Sequence, residues 1–208
     1  MNIKKMANYV GQIRIYSLVD LWLLLAAVGA DIREAVGVAA LWIGFLLFLE
    51  SGHSHEYRER FPKFSWLPLW VLGVVAIPKP ESIAFIFFAW LYTQKNKSYL
   101  ATISPIFRGL QTLMIVGEIA GYCHPLILVA PVLTSFRNLL GDWRDCGKDL
   151  KEKKITIPCL LGMKSARHVH LLGLFLTSSV WWWYSTTHIS ILILVLSIQI
   201  VSYNLTPR

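Results

Sequence analysis

Arg137-Asn-Leu-Leu-Gly-Asp142-Trp-Arg-Asp145-Cys-Gly-Lys-Asp149-Leu-Lys-Glu-Lys-Lys-Ile-Thr156-Ile-Pro158-Cys-Leu-Leu-Gly162 is a dense run of charge in a chain that otherwise carries little. Its three aspartates recur at steps of three and four. On a helix, that spacing puts Asp142, Asp145 and Asp149 on one face. Like charges so placed repel, at a cost of about a few tenths of a kcal/mol per pair. The face is relieved if a metal cation or a cationic side chain sits against it. Strongly apolar segments flank the run, so the fold turns on what those segments form.

The composition answers that. Of the 208 residues, 55% are hydrophobic and 15% charged, and mean hydropathy is +0.53. Soluble domains carry roughly 25% charged residues. Apolar stretches fall near 15–30, 36–50, 65–78, 82–94, 107–122, 125–141, 168–185 and 188–204. Each is somewhat short of the ~20 residues of a full span, so the helices are expected to run past these limits. The expected fold is all-α: a multi-pass transmembrane helical bundle of about eight spans, forming one domain over residues 1–208. The first fourteen residues are basic and amphipathic, with no small-residue cleavage site after an apolar core. No cleavable signal is expected there.

Eight spans put alternate connections on opposite sides. Of the 20 Lys and Arg, all but Arg33 and Lys79 then share one side. The positive-inside rule makes that side cytoplasmic, together with both termini and the aspartate run. The net charge of +8 is thus mostly topology, which removes the case for nucleic acid and leaves anionic lipid or phosphate as partners. The outer connections are short, and the inner ones, near 51–64, 95–106 and 142–167, are longer and polar. Trp181-Trp182-Trp183-Tyr184 reads as an interfacial aromatic belt. Cys123, Cys146 and Cys159 are odd in number and scattered, and support neither a disulfide framework nor a zinc site. Asp20 and Glu118 are acids within spans, a rare placement that marks functional candidates. Hydrogen bonding within the bundle also accounts for both. Spacing alone leaves two readings of the aspartate run: a metal and phosphate site, or a solvated loop paired with its own lysines.

The run resembles the second aspartate-rich motif of the UbiA superfamily of intramembrane prenyltransferases. The resemblance is carried by Arg137, Asp142, Asp145, Gly147, Asp149, Thr156, Pro158 and Gly162. The segment Tyr92-Thr-Gln-Lys95-Asn-Lys97, with Pro105 and Gly109 after it, and Arg14 before the first span, are also similar to that family. The likeness covers about residues 10–185. Two departures stand out. The family's first motif carries three aspartates, whereas Ser51-Gly52-His53-Ser54-His55-Glu56-Tyr57-Arg58-Glu59 keeps one carboxylate in register, Glu59, with Glu50 and Glu56 as neighbours. The family usually has nine spans, and eight are readable here. A small residue that the family places between the last Asp and the Thr is replaced by Lys153 or its neighbours.

The resemblance implies prenyl transfer from an isoprenoid diphosphate to a lipophilic acceptor, an aromatic ring or a lipid. Mg²⁺ is the implied cofactor, held by Asp142, Asp145 and Asp149 with Glu56 and Glu59. It typically takes one or two carboxylates, completed by phosphate oxygens and water. Arg137, Lys95, Lys97 and Arg60 are the implied partners of the diphosphate. The degenerate first motif keeps two alternatives open: a terpene cyclase of the same fold, or a catalytically silent membrane subunit that binds prenyl lipid. His53, His55, Glu56 and Glu59 also suit a transition metal, or form a plain polar turn.

Overall fold

The structure is a computed structural model that describes residues 9, 11–52, 60–96, 98–166 and 168–205. Among the described residues all regular structure is helical and none is strand, as expected. The elements are α1 (Ile15–Ala27), α2 (Ile32–Ser51), α3 (Trp66–Ala76), α4 (Pro80–Thr93), α5 (Ser98–Ala120), α6 (Leu126–Lys151), α7 (Ile157–Leu160), α8 (Val169–Ser185) and α9 (Ile189–Leu205). A single 3₁₀ turn, Gln94–Asn96, follows α4. Each apolar stretch of the sequence has its helix. Two of these, Ile32–Ser51 and Tyr99–Ala120, are long and apolar enough to cross a membrane.

Two inner connections differ from expectation. The 95–106 stretch is helical from Ser98, and the aspartate run is the last third of α6 rather than a loop. Hydropathy falls where charge begins, but backbone hydrogen bonding continues. Lys148 and Lys151 in the last turn of α6 suit the negative end of its dipole. The helix stops at Glu152, and Lys153 turns left-handed at φ 58°.

Helix boundaries follow local chemistry. Asp31 caps α2 reciprocally: its Oδ1 accepts from Glu34 N at 2.7 Å, and Glu34 Oε2 accepts from Asp31 N at 3.1 Å. Gly121, at φ 79°, ends α5 in a conformation few side chains adopt.

The chain divides into two units, Met1–Lys79 with Ser178–Arg208, and Pro80–Thr177. In the first, α2 packs on α3, and α1 on α9. Tyr16, Leu23, Leu41, Trp42 and Phe45 form its core, with Trp42 Nε1 donating to Ser17 Oγ at 3.2 Å. Asp20 is buried and accepts from Ser178 Oγ at 2.8 Å, and Ser178 Oγ accepts from Gln199 Nε2 at 2.7 Å. Arg14 reaches Glu50 Oε1 at 2.5 Å. Arg60 lies in this unit, half-buried. Trp181 is buried and Trp183 exposed, so the aromatic cluster is divided between interior and surface.

In the second unit, α5 packs on both α4 and α6, and α7 folds back on α6. Phe85, Ala89, Ile115, Leu126 and Ala130 are buried. The α5 and α6 backbones meet at Gly109, where an added Cβ would overlap Ser135 Oγ and stand 2.5 Å from the Pro131 carbonyl oxygen. Glu118 is buried and accepts from Ser82 Oγ at 3.0 Å.

Candidate active site

The aspartate face of α6 meets the end of α4. The step from Asn138 to Asp142 is one helical turn, as is that from Asp145 to Asp149, so these side chains line one side. Lys95, in the 3₁₀ turn, donates to Asp142 Oδ1 at 2.7 Å; the two side chains are 16% and 7% exposed. Lys95 Nζ also stands 4.5 Å from the centre of the Tyr92 ring. Burial disfavours the Lys95 ammonium, but the adjoining Asp142 carboxylate outweighs it and holds the amine above its ordinary range. Burial pushes the Asp142 carboxyl up, against the pull of Lys95. A lysine held charged at 2.7 Å decides the matter in favour of an ion pair.

Asp142 Oδ2 is buried and has no hydrogen-bond partner. An orphaned carboxylate oxygen is an unmet demand for a donor or a cation. Asp145 is paired with Arg144, whose Nη1 lies 2.8 Å from His170 Nδ1 on α8. Among the described residues, no three His, Cys, Asp or Glu side chains converge as a metal cage by themselves. The arrangement still suits Mg²⁺, which takes few protein ligands and completes its shell with phosphate and water.

Asp149 is pushed up to about 6, first by burial, with Asp142 and Asp145 adding to the shift and Lys95 and Lys154 opposing it. Its native carboxyl therefore holds a proton more tightly than in the unfolded chain. The native state loses stability as pH rises from about 4 through about 6, and the whole cost stands above that. An asparagine amide in its place would not ionise. Asp149→Asn is expected to melt about 2–4 °C higher than wild type at about pH 8, and no higher at about pH 4. That figure takes about 1 kcal/mol, discounted because Asp149 is partly solvated. Thermal unfolding in detergent at the two pH values checks it.

The other expected site residues are placed differently. Arg137 is buried on another face of α6, with Nη1 3.5 Å from Thr177 Oγ1 on α8. Glu56, Glu59 and Lys97 lie outside the described residues, as do His53 and His55. Thr156 is buried and donates to Cys159 Sγ at 3.1 Å. Cys146 and Cys159, scattered in sequence, have sulfurs 2.7 Å apart as free thiols. Burial, and then its bond to Cys159, pushes Cys146 up to about 12.

A polar group deeper in the unit escapes the sequence reading. Charge placement puts Arg108 among the cytoplasmic cations, yet it is 5% exposed, ten residues into α5. It donates to Gln111 Oε1, and its guanidinium lies 5.7 Å from the Tyr92 ring centre. Tyr92 in turn donates from its hydroxyl to Asn138 Oδ1 at 3.1 Å. The signal is an Arg and a Gln one turn apart within an apolar helix, a costly placement that ordinarily has a use. Comparison with family models, with curated proteins and with solved structures found no match.

Proposed function

We propose that this chain is a multi-pass membrane prenyltransferase of the UbiA type. Its eight helices other than α7 would cross the bilayer, with both termini and the aspartate end of α6 in the cytoplasm. It would transfer a prenyl group from an isoprenoid diphosphate to a lipophilic acceptor. The observation that carries the reading is the Lys95–Asp142 pair, with Asp142 Oδ2 left without a partner beside Asp145 and Asp149. Lipid contact is supported by the large apolar side chains turned outward on long helices. Leu128 and Val132 on α6 and Leu172 on α8 are 75%, 67% and 63% exposed. Such surface is out of place in water when it is this extensive.

Asp142, Asp145 and Asp149 would hold Mg²⁺, which when bound supplies Lewis-acid stabilisation to the departing diphosphate. Lys95 is already charged and lies beside the carboxylates, so it is positioned to meet a phosphate oxygen. The apolar helices would exclude water, which otherwise captures the prenyl cation as an alcohol.

The test is Mg²⁺-dependent pyrophosphate release by purified protein from a panel of prenyl diphosphates, with mixed aromatic and lipid acceptors. Asp145→Ala is the control, because Asp145 is 36% exposed and its loss leaves the core intact. Release by wild type alone supports the enzyme. Binding without release supports the silent lipid-binding subunit, and release without acceptor consumption supports cyclisation.

Topology has its own test. Cys123 is exposed in the turn between α5 and α6, which the proposed arrangement puts outside. In intact cells a membrane-impermeant maleimide is expected to label Cys123 and to spare Cys146 and Cys159. Labelling of Cys123 only after the membrane is opened would reverse the orientation.

A further inference from the structure

We propose that Cys146 and Cys159 are a reversible redox site: the pair forms a disulfide by exchange with a low-molecular-weight disulfide, and the bond fastens α7 to the aspartate end of α6. The proposal stands whether or not the chain transfers prenyl groups.

The two sulfurs lie 2.7 Å apart as free thiols. A disulfide bond is about 2.05 Å long, so little movement separates the two states. The cysteines are 13 positions apart in the chain, yet hydrogen bonds hold the returning segment on both sides of Cys159. Before it, the Ile155 carbonyl accepts from Thr102 Oγ1 at 3.0 Å. After it, Trp143 Nε1 donates to the Lys164 carbonyl at 2.9 Å, and Ser165 Oγ accepts from Gly147 N at 2.7 Å. A Cβ at Gly147 would stand 3.0 Å from Ser165 Oγ, so the residue after Cys146 is one that lets the segment come close. Buried Thr156 donates from Oγ1 to Cys159 Sγ at 3.1 Å and fixes the direction of that sulfur. Cys159 is thus held opposite Cys146 before any bond forms, which makes their reaction intramolecular and fast.

A shared metal does not suit the pair. Two thiolates on one zinc ion, with bonds of about 2.3 Å, stand about 3.8 Å apart. Among the described residues, no group of three His, Cys, Asp or Glu includes them.

Exposure sets the order of events. Cys146 is 1% exposed, whereas Cys159 is half-buried, with exposed Leu160 and Leu161 beside it. Cys159 is therefore the thiol that a small molecule reaches first. Its sulfur gives up its proton to solvent and attacks one sulfur of the small disulfide. That S–S bond breaks, and one thiolate leaves and takes up a proton. Cys146 Sγ then attacks Cys159 Sγ, expels the second small thiolate and passes its own proton to it. Two electrons move from the protein to the small disulfide, which ends as two thiols. In a reducing compartment small thiols run the exchange backwards, so the bond is a transient report of redox state.

The experiment uses Cys123→Ser, which removes the third thiol from the exposed turn between α5 and α6. Reduced protein, purified in detergent, is equilibrated with oxidised and reduced glutathione at a series of ratios, quenched with a maleimide and weighed intact. Both thiols are expected to disappear together with no glutathione retained, the mixed disulfide staying below about a tenth of the protein. Proteolysis of the oxidised form should yield the 146–159 cross-linked peptide, and excess reduced glutathione should restore both thiols. In the same background Cys146→Ser should stop at one glutathione adduct on Cys159. Cys159→Ser should react at least about tenfold more slowly, because Cys146 is buried. Two separate glutathione adducts, both thiols retained at the most oxidising ratio, a cross-link between two copies of the chain, or a bond that reduced glutathione does not reopen overturns the proposal. Each of these is read on Cys123→Ser alone, so none depends on the other variants folding. Equal reaction of Cys146→Ser and Cys159→Ser overturns the order of attack.

Discussion

Lys95→Met is expected to destabilise the protein by about 3 kcal/mol, a fall in melting temperature of about 6–12 °C. The physical reason is asymmetric. With Lys95 present, Asp142 keeps its charge in a largely buried place through a 2.7 Å contact. Without it, the buried carboxylate keeps only the more distant charge of Arg144, and its other oxygen is already without a partner. Removing both charges avoids that cost. Lys95→Met with Asp142→Leu should therefore recover most of the loss. A drop of under about 2 °C in the single variant would mean that solvent already shields Asp142. Thermal unfolding in detergent at neutral pH decides it.

Asp142→Asn is expected to lower Mg²⁺-dependent pyrophosphate release by about a thousandfold, equivalent to about 4 kcal/mol of barrier. Asparagine fills the same volume and still accepts a bond from Lys95; because the ammonium then lacks its counter-charge, release is measured well below the variant's own melting temperature. The amide lacks the charge that a divalent cation needs. Asp149→Asn should cost far less, about tenfold, because Asp149 is only half-buried and solvent screens its charge more than that of the buried Asp142. The order is the informative part. If Asp149→Asn is the more damaging variant, the cation sits toward the C-terminal end of α6. If neither variant changes release, the aspartates do not serve the reaction. Steady-state rates with saturating donor, beside binding of the same donor, separate these outcomes.

The helices were legible because hydropathy reports burial in protein or lipid. Their ends were not. Hydropathy places the start of α5 near 107 and the end of α6 near 141, whereas the helices run from Ser98 and to Lys151. Charged side chains remain compatible with a helix when they find partners, as Asp142 does with Lys95 and Asp145 with Arg144. The acids and the lysine of the candidate site were each readable from type and spacing. Their pairing was not, because it depends on how α4 meets α6 across 47 residues. Arg108 and Gln111 were hidden by averaging, since the apolar neighbours of α5 dominate any window. Cys146 and Cys159 were hidden by the helix break at Glu152, which folds α7 back.

The backbone contact at Gly109 bears on how the protein is made. It joins two helices that are neighbours in sequence, separated only by the turn that starts at Gly121. Such a hairpin leaves the ribosome as a self-complementary pair. Its partners arrive within one stretch of translation, with little loop to close. Tyr92, Lys95, Arg108, Gln111, Asn138 and Asp142 all precede α8 and α9 in the chain. The Tyr92–Asn138 and Lys95–Asp142 pairs would thus form while α8 and α9 are still unsynthesised. A methyl group at position 109 would strike before any of that, during synthesis, and would be felt as lost yield rather than as lost activity.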